Sequence, residues 1–164
     1  MKTLYLLRHG HAETKQKQPD EERNLDQTGR KEALLTGEKM LKETLRPDII
    51  LSSHANRAYQ TAQIVAETLA YPIKNIAIEK EIYYTDQEAL LDIIKRQDNT
   101  NNSLMIAGHN PTITYVAQIL SKNQKHEMPT AGLLVLECAT PTWEDILKYD
   151  IKELLFFEPD TSIK

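Results

Sequence analysis

Short, continuous apolar runs alternate along this chain with stretches in which apolar residues recur at helical spacing. The runs that are candidates for strands cover residues 3–7, 48–51, 103–107 and 132–137, with weaker candidates at 73–78 and 154–157. A strand that is apolar on both faces must be covered on both faces, and helical crossovers between parallel strands provide that cover. The pattern therefore predicts an α/β fold, a three-layer α/β/α sandwich with a mostly parallel central sheet.

Four stretches between these runs have the periodicity of helices that pack on a sheet, with apolar residues at 34–45, 58–69, 89–94 and 113–120. Asp86 is placed to cap the third helix. Asn110-Pro111 predicts a cap followed by proline at the first position of the fourth. Because 164 residues are the size of one domain and no linker-like segment divides them, we expect a single domain over residues 1–164.

The composition excludes several classes of protein. The chain has 20 Lys and Arg against 24 Asp and Glu, a net charge of −4, without the basic stripe that binding to nucleic acid or an anionic membrane requires. Its five glycines form neither a Walker loop nor a dinucleotide fingerprint, so we expect no cofactor. No apolar stretch approaches the ~20 residues of a membrane span, and we expect a cytoplasmic protein. The lone Cys138 lies in an apolar run, which indicates a buried thiol.

Arginine and histidine residues follow three of the predicted strands. Arg8-His9-Gly10 ends the first, Arg57 opens the helix after the second, and Gly108-His109 ends the third. Ligands of such sheets bind beyond the carboxyl ends of the strands, so these residues are expected to meet at one edge. In an acidic chain, they predict a local positive pocket for a compact anion. The other histidines, His11, His54 and His126, are expected at the rim, on the surface or in loops.

Each of these residue types suits the handling of a phosphoryl group. Planar guanidinium groups match phosphoryl oxygens with paired hydrogen bonds and stay charged. A neutral imidazole can attack phosphorus and carry the group as a covalent intermediate. Gly10 removes a Cβ where the backbone would pass close to the ligand. One Arg-His pair alone is more often structural, and the prediction depends on the joint occurrence at three strand ends.

The Arg8-His9-Gly10 signature, the Arg57 motif with Gln60-Thr61-Ala62 and the later Gly108-His109, in this order, resemble the histidine phosphatase superfamily. The resemblance implies a phosphoglycerate mutase-like fold and, within the superfamily, likeness to the short SixA-type phosphohistidine phosphatases. It extends over nearly the whole chain.

By position, the resemblance implies that His9 is the phosphorylated nucleophile and that Arg8 and Arg57 bind the phosphate. His109 would be the second pocket histidine, which donates to the phosphoryl oxygens. Arg23 resembles an arginine near the pocket entrance of the short members. No metal ion is implied.

The chain departs from the larger members of the superfamily at the acid that protonates an alcohol leaving group. Those members have a Leu-x-Glu pattern, where this chain has Ile82-Tyr83-Tyr84. Glu81 and Asp86 flank this stretch, so either of them or either tyrosine remains a candidate for a general acid. The lack of a matched carboxylate disfavours alkyl phosphates as substrates.

We therefore predict a phosphohistidine phosphatase that acts on a histidine-phosphorylated protein, such as a phosphotransfer domain, through a phospho-His9 intermediate. One alternative is a small-molecule phosphomonoesterase of the same superfamily. A second is a non-catalytic phosphate- or phosphoprotein-binding module. A third is a zinc hydrolase with His9, His11 and His109 as ligands, although two arginines beside such a site would repel the metal ion.

Overall fold

A six-stranded sheet forms the centre of the computed structural model, which describes residues 1–14 and 17–162. Its strands are β1 (Lys2–Arg8), β2 (Ile49–Ser52), β3 (Ala77–Ile78), β4 (Ser103–Gly108), β5 (Leu133–Cys138) and β6 (Ile151–Phe157). Among the described residues, the α-helices are α1 (Gln27–Lys42), α2 (Asn56–Thr68), α3 (Gln87–Lys95) and α4 (Thr112–Ser121).

The strands lie side by side in the order β3-β2-β4-β1-β5-β6. The first four in this order are parallel, and β5 runs antiparallel to both β1 and β6. Five of the six strands therefore point the same way. This confirms the predicted α/β class with its mostly parallel sheet, and it gathers the carboxyl ends of β1, β2 and β4 at one edge.

The two faces of the sheet bury separate cores, as alternation along β1 requires. Leu4 and Leu6 belong to a cluster that includes residues of α3 and α4. Tyr5 and Leu7 belong to a second cluster, which includes Met40 of α1 and residues of α2. The helices thus form one layer on each face, and the three-layer sandwich is confirmed.

Several details of the predicted elements were wrong. α4 begins at Thr112 with Pro111 as its N-cap, so the proline lies one position before the helix. Asn110 does not cap the helix by its side chain, because its amide donates to the Met128 carbonyl at 3.0 Å and accepts from the Thr114 hydroxyl. Residues 73–75 form a 3-10 turn rather than part of an edge strand.

Two predictions about single side chains had different outcomes. Cys138 is buried, as its apolar run indicated. His126 lies in the loop between α4 and β5, one of the two positions expected for it, but it is buried rather than on the surface. Its Nε2 lies 2.6 Å from Glu153 Oε2, and its ring stacks on Phe156, so a partner from β6 compensates the burial. None of the helices in the described residues has the length and apolar content needed to cross a membrane.

The first turn of α1 lies directly against the loop that follows β1. A Cβ added to Gly29 would be 2.0 Å from the His11 carbonyl oxygen, and one added to Gly10 would be 2.7 Å from the Gly29 carbonyl oxygen. A second tight contact joins α1 to α2, where a Cβ on Gly37 would be 2.8 Å from Thr68 Cβ. The close approach of helix to loop at Gly29 therefore constrains the loop after β1.

This contact predicts different consequences for two alanine substitutions. Gly29→Ala and Gly37→Ala should each lower the free energy of unfolding by about 1–3 kcal/mol through overpacking. Only Gly29→Ala should also shift the backbone amide resonances of residues 9–11, because its Cβ displaces that loop. Denaturant unfolding and a two-dimensional amide spectrum measure both effects. Unchanged resonances in Gly29→Ala would contradict the proposed constraint.

Candidate active site

Three strand ends are joined by backbone hydrogen bonds at the carboxyl edge of the sheet. The His9 amide donates to the Gly108 carbonyl at 3.1 Å, and the Ser53 amide donates to the Ala107 carbonyl at 3.1 Å. The loops after β1, β2 and β4 therefore leave the sheet side by side. This places the side chains of His9, Arg57 and His109 in one pocket, as the sequence predicted.

The ring of His9 is held in one orientation by its own loop. Its Nδ1 lies 2.8 Å from the Gly10 carbonyl, which only accepts, so Nδ1 carries a proton and Nε2 is the unprotonated nitrogen of the neutral ring. Burial lowers the pKa of His9 to about 4; the hydrogen bond to the Gly10 carbonyl opposes this shift, and the guanidinium groups of Arg57, Arg8 and Arg23 add to it. His9 is therefore a neutral imidazole near pH 7.

Arg57 points its guanidinium at this ring. Its Nε donates to His9 Nε2 at 3.4 Å, and its side chain is only 9% exposed. The Thr61 hydroxyl, one turn further along α2, donates to the Arg57 carbonyl and accepts from the Gly10 amide at 2.9 Å. This bridge fixes the start of α2 against the His9 loop, and it gives a structural reason for the Arg57–Thr61 spacing in the sequence.

His109 forms the opposite wall of the pocket. Its ring centroid lies 5.2 Å from that of His9, and its Nε2 lies 2.8 Å from the Ser53 hydroxyl. Burial, followed by the proximity of His9 and Arg57, lowers the pKa of His109 to about 3. A second neutral imidazole therefore faces the first.

Arg8 has its Nη1 hydrogen bonded to the Met128 carbonyl at 3.1 Å, and desolvation lowers its pKa although Glu32 and Glu127 oppose the shift. Among the described residues, the buried side-chain nitrogens without a hydrogen-bond partner are Arg8 Nε, His54 Nδ1 and His109 Nδ1. All three belong to residues at or beside the same strand ends. Unpartnered buried polar atoms are rare, so their concentration here indicates a site built to bind a polar ligand.

The structure also brings an acidic residue into the pocket that the sequence did not single out. Asp20 lies in the 3-10 turn Asp20–Glu22, which we call the entrance turn. Its Oδ2 lies 3.0 Å from Arg57 Nη2 and accepts from the Tyr83 hydroxyl, while its Oδ1 lies 3.0 Å from Arg23 Nη1. The bonds from Tyr83, Arg23 and Arg57 hold the pKa of Asp20 well below its usual range. Arg23 is thus at the pocket entrance, as predicted, but it reaches the pocket through Asp20.

The four candidates for a general acid differ in whether their side chains face the pocket. Glu81 pairs with Arg96 and is mostly exposed, and Asp86 accepts from the Ala89 amide as the N-cap of α3. Tyr84 is 75% exposed. Tyr83 alone faces the pocket, with its ring edge-on to His109 at a centroid distance of 5.3 Å. Burial and the hydrogen bond to Asp20 raise the pKa of Tyr83 to about 12.

The remaining histidines of the sequence analysis do not face His9. His11 is exposed and pairs with Asp26, so it does not join His9 and His109 in a three-histidine cluster. Groups of three or more His, Cys, Asp or Glu that could hold a metal ion do not occur in the part of the chain that the structure describes. His54 is partly exposed and lies at the mouth, where its ring centroid is 5.1 Å from that of Tyr83.

A neutral imidazole with an unprotonated Nε2, flanked by arginines and a second imidazole at the edge of an α/β sheet, defines a class of site suited to a tetrahedral oxyanion such as a phosphoryl group. The comparison with known families agrees. The chain belongs to the histidine phosphatase superfamily (branch 1), whose family model matches residues 4–112. This superfamily comprises phosphatases and mutases.

Solved structures of similar fold cover nearly the whole chain. A crystal structure from Agrobacterium tumefaciens, assigned as the phosphohistidine phosphatase SixA, has 27% identity and a TM-score of 0.81, with 97% of this chain and 99% of that chain covered. The protein histidine phosphatase SixA complexed with tungstate has 19% identity and a TM-score of 0.80, with 96% and 97% covered, and it supports the fold alone. The predicted SixA-like resemblance is confirmed.

Curated relatives match over part of their length. A 2,3-bisphosphoglycerate-dependent phosphoglycerate mutase from Bartonella bacilliformis is 38% identical in an alignment 93 residues long, which covers 50% of this chain and 43% of that protein. A phosphoglycerate mutase from Schizosaccharomyces pombe is 37% identical in an alignment 97 residues long, which covers 53% of this chain and 44% of that protein. The chain thus matches less than half the length of these relatives.

The geometry of His9 predicts its protonation state. At pH 6 its ring should be neutral with the proton on Nδ1, because its pKa lies at about 4 rather than 6.5. Long-range ¹H–¹⁵N spectra of the imidazoles measure this, with the His9 signals assigned by their loss in His9→Asn. Between pH 6.5 and about 4 the unfolded chain would bind a proton that folded His9 does not, so His9 should lower stability as the pH falls. An imidazolium signal at pH 6 would contradict this geometry.

Proposed function

We propose that this protein is a phosphohistidine phosphatase that removes the phosphoryl group from a histidine-phosphorylated protein, with His9 as the nucleophile. The observation that carries the proposal is the environment of His9. The Gly10 carbonyl fixes the proton on Nδ1, and Arg57 Nε lies 3.4 Å from Nε2, so the reactive lone pair and a guanidinium face the same space. An anion held by that guanidinium would be adjacent to the nucleophile.

The proposed reaction has two steps. In the first, His9 Nε2 forms a bond to phosphorus while the bond from phosphorus to the substrate's imidazole nitrogen breaks, and the electron pair stays on the departing ring. In the second, a water oxygen forms a bond to phosphorus and the bond to His9 Nε2 breaks. One proton of that water passes to solvent, orthophosphate leaves with the new oxygen, and His9 returns as a neutral imidazole with its proton still on Nδ1.

The other pocket residues take their roles from position and charge. Arg57 would stabilise the phosphoryl oxygens in the transition state, where guanidinium groups act through paired hydrogen bonds. Arg8 and His109 each have a buried nitrogen without a partner, Nε and Nδ1 respectively, and these would donate to the remaining phosphoryl oxygens. For His109 this requires the tautomer with the proton on Nδ1, and its Nε2 would then accept from the Ser53 hydroxyl.

The likeness to the SixA structure from Agrobacterium tumefaciens, which extends over nearly the whole of both chains, supports the phosphohistidine substrate. The curated relatives are mutases that act on phosphoglycerates, and they support a small phosphomonoester as the second candidate. The pocket favours the first, because the carboxylates Glu81 and Asp86 are engaged elsewhere and the Tyr83 hydroxyl is committed to a hydrogen bond with Asp20. A partner such as a phosphotransfer domain and a cytoplasmic location are part of this proposal.

The nucleophile is tested by removing its side chain. His9→Ala should lower turnover by several orders of magnitude while the melting temperature stays near that of the parent protein, because the ring is a polar pocket group rather than part of either core. Rapid quenching with ³²P-labelled substrate should trap acid-labile, base-stable label on the parent protein and none on His9→Ala. His11→Ala is the matched control, since its ring is exposed, and it should retain the label.

Retained turnover in folded His9→Ala would overturn the assignment of the nucleophile. Binding of phosphohistidine protein without any turnover by the parent protein would instead support a non-catalytic binding module.

The leaving group provides a test of the substrate class. An imidazole with a proton on its second nitrogen departs neutral, whereas an alkoxide requires a positioned acid, whose help is typically worth ~10²–10⁴-fold. We expect kcat/KM to be highest for a phosphohistidine protein, lower for an aryl phosphate and far lower for an alkyl phosphate at the same pH. Alkyl phosphate turnover equal to that of phosphohistidine would favour the small phosphomonoester.

A further inference from the structure

The carboxylate of Asp20 is surrounded by donors that also suit a phosphoryl group. Arg57 Nη2 and Arg23 Nη1 each lie 3.0 Å from its oxygens, and the Tyr83 hydroxyl donates to Oδ2. These donors come from three separate segments of the chain and converge on one anionic group. The backbone carbonyl of Asp20 also accepts from Arg57 Nη1 at 3.0 Å. Both terminal nitrogens of the Arg57 guanidinium are therefore engaged by a single residue of the entrance turn.

The position of this carboxylate brings it into conflict with a bound phosphoryl group. Arg57 Nε contacts His9 Nε2, and the same guanidinium contacts Asp20 through Nη2. A phosphoryl group transferred to His9 would bring two or more negative oxygens to a guanidinium that already holds a carboxylate. Like charges at such separation repel strongly in a partly desolvated pocket. Either the carboxylate withdraws, or the phosphoryl group is bound less tightly than Arg57 alone would allow.

The entrance turn can move away from Arg57 at a low cost in free energy. The side chain of Asp20 is 33% exposed against 9% for Arg57, so water can solvate the carboxylate as it withdraws while a phosphoryl group takes its place on the guanidinium. The turn is a single 3-10 turn of three residues with none of them buried. Breaking the Asp20 contacts therefore costs much less than disturbing either core.

We propose that Asp20 is a specificity-determining residue, whose carboxylate competes with phosphoryl oxygens for Arg57 and Arg23. Orthophosphate must displace or share these contacts with no other binding energy to offset the cost. A phosphoryl group carried by a protein is attached to a surface that also contacts the mouth of the pocket. The binding free energy of those contacts offsets the cost of displacing the Asp20 carboxylate. The competition thus disfavours free phosphate and small phosphate esters relative to macromolecular donors. This inference rests on the proposed use of the pocket for phosphoryl groups.

The test compares the binding of orthophosphate by the parent protein, Asp20→Asn and Asp20→Ala at pH 7 and 0.15 M salt, by titration calorimetry. Asp20→Asn keeps the size of the side chain and the backbone contact to Arg57 but removes the charge. Both variants should bind orthophosphate more tightly, by about fivefold or more, which is the factor that a partly exposed ion pair contributes. Glu22→Gln is the matched control, because it makes the same change of charge in the same turn on an exposed side chain.

Weaker or unchanged binding by Asp20→Asn would overturn the proposal, and weaker binding would show instead that Asp20 positions Arg57. Equal tightening in Glu22→Gln would also overturn it, since the effect would then come from net charge alone. Binding by none of the proteins would contradict it as well. Because orthophosphate is the probe, the result does not depend on turnover of a phosphohistidine substrate. If that turnover failed while Asp20→Asn bound phosphate more tightly, the role of Asp20 would stand and the substrate would be wrong.

Discussion

His9 Nδ1 donates to the carbonyl of the next residue, Gly10, and this short local hydrogen bond determines the state of the pocket. It directs the unprotonated Nε2 toward Arg57, and the surrounding burial keeps the ring neutral by lowering its pKa to about 4. The bond depends on the path of the loop after β1. That path is fixed by the Gly29 contact on one side and by Thr61 on the other. Two helices on the same face of the sheet therefore hold one imidazole.

The cations of the pocket require compensation. Arg57 is 9% exposed, and charged groups removed from water are costly unless they are paired. Asp20 supplies the pairing charge for Arg57 and Arg23 together, and its own pKa falls in consequence. The same carboxylate that compensates the buried charge of Arg57 is also the group with which any phosphoryl oxygen must compete. Stability of the site and affinity for its ligand are thus set against each other through one residue.

The sequence alone was enough to predict the part of the site that lies directly after the ends of strands. Apolar runs located β1, β2, β4 and β5, and parallel strands necessarily bring the residues after them to one edge, so His9, Arg57 and His109 could be placed together. Asp20 could not be found in this way, because it lies in an acidic stretch with no period and no adjacent strand, which is typical of a solvated turn. The burial of His126 was missed for a similar reason: its partner Glu153 is 27 residues away, on a strand whose extent was underestimated.

The pairing of Tyr83 with Asp20 explains how a pocket can contain two acidic side chains and still lack a general acid. The phenol keeps its proton and donates a hydrogen bond to the carboxylate, and the pKa values move apart, with that of Tyr83 raised to about 12 and that of Asp20 lowered. The carboxyl group then has no proton to give near pH 7, and the phenol gives up its proton only at a high cost. Neither residue can therefore readily protonate a leaving group, such as an alkoxide, that requires a proton to depart. One that departs as a neutral ring needs nothing from either residue, and this asymmetry favours a nitrogen-bound phosphoryl group over an alkyl ester.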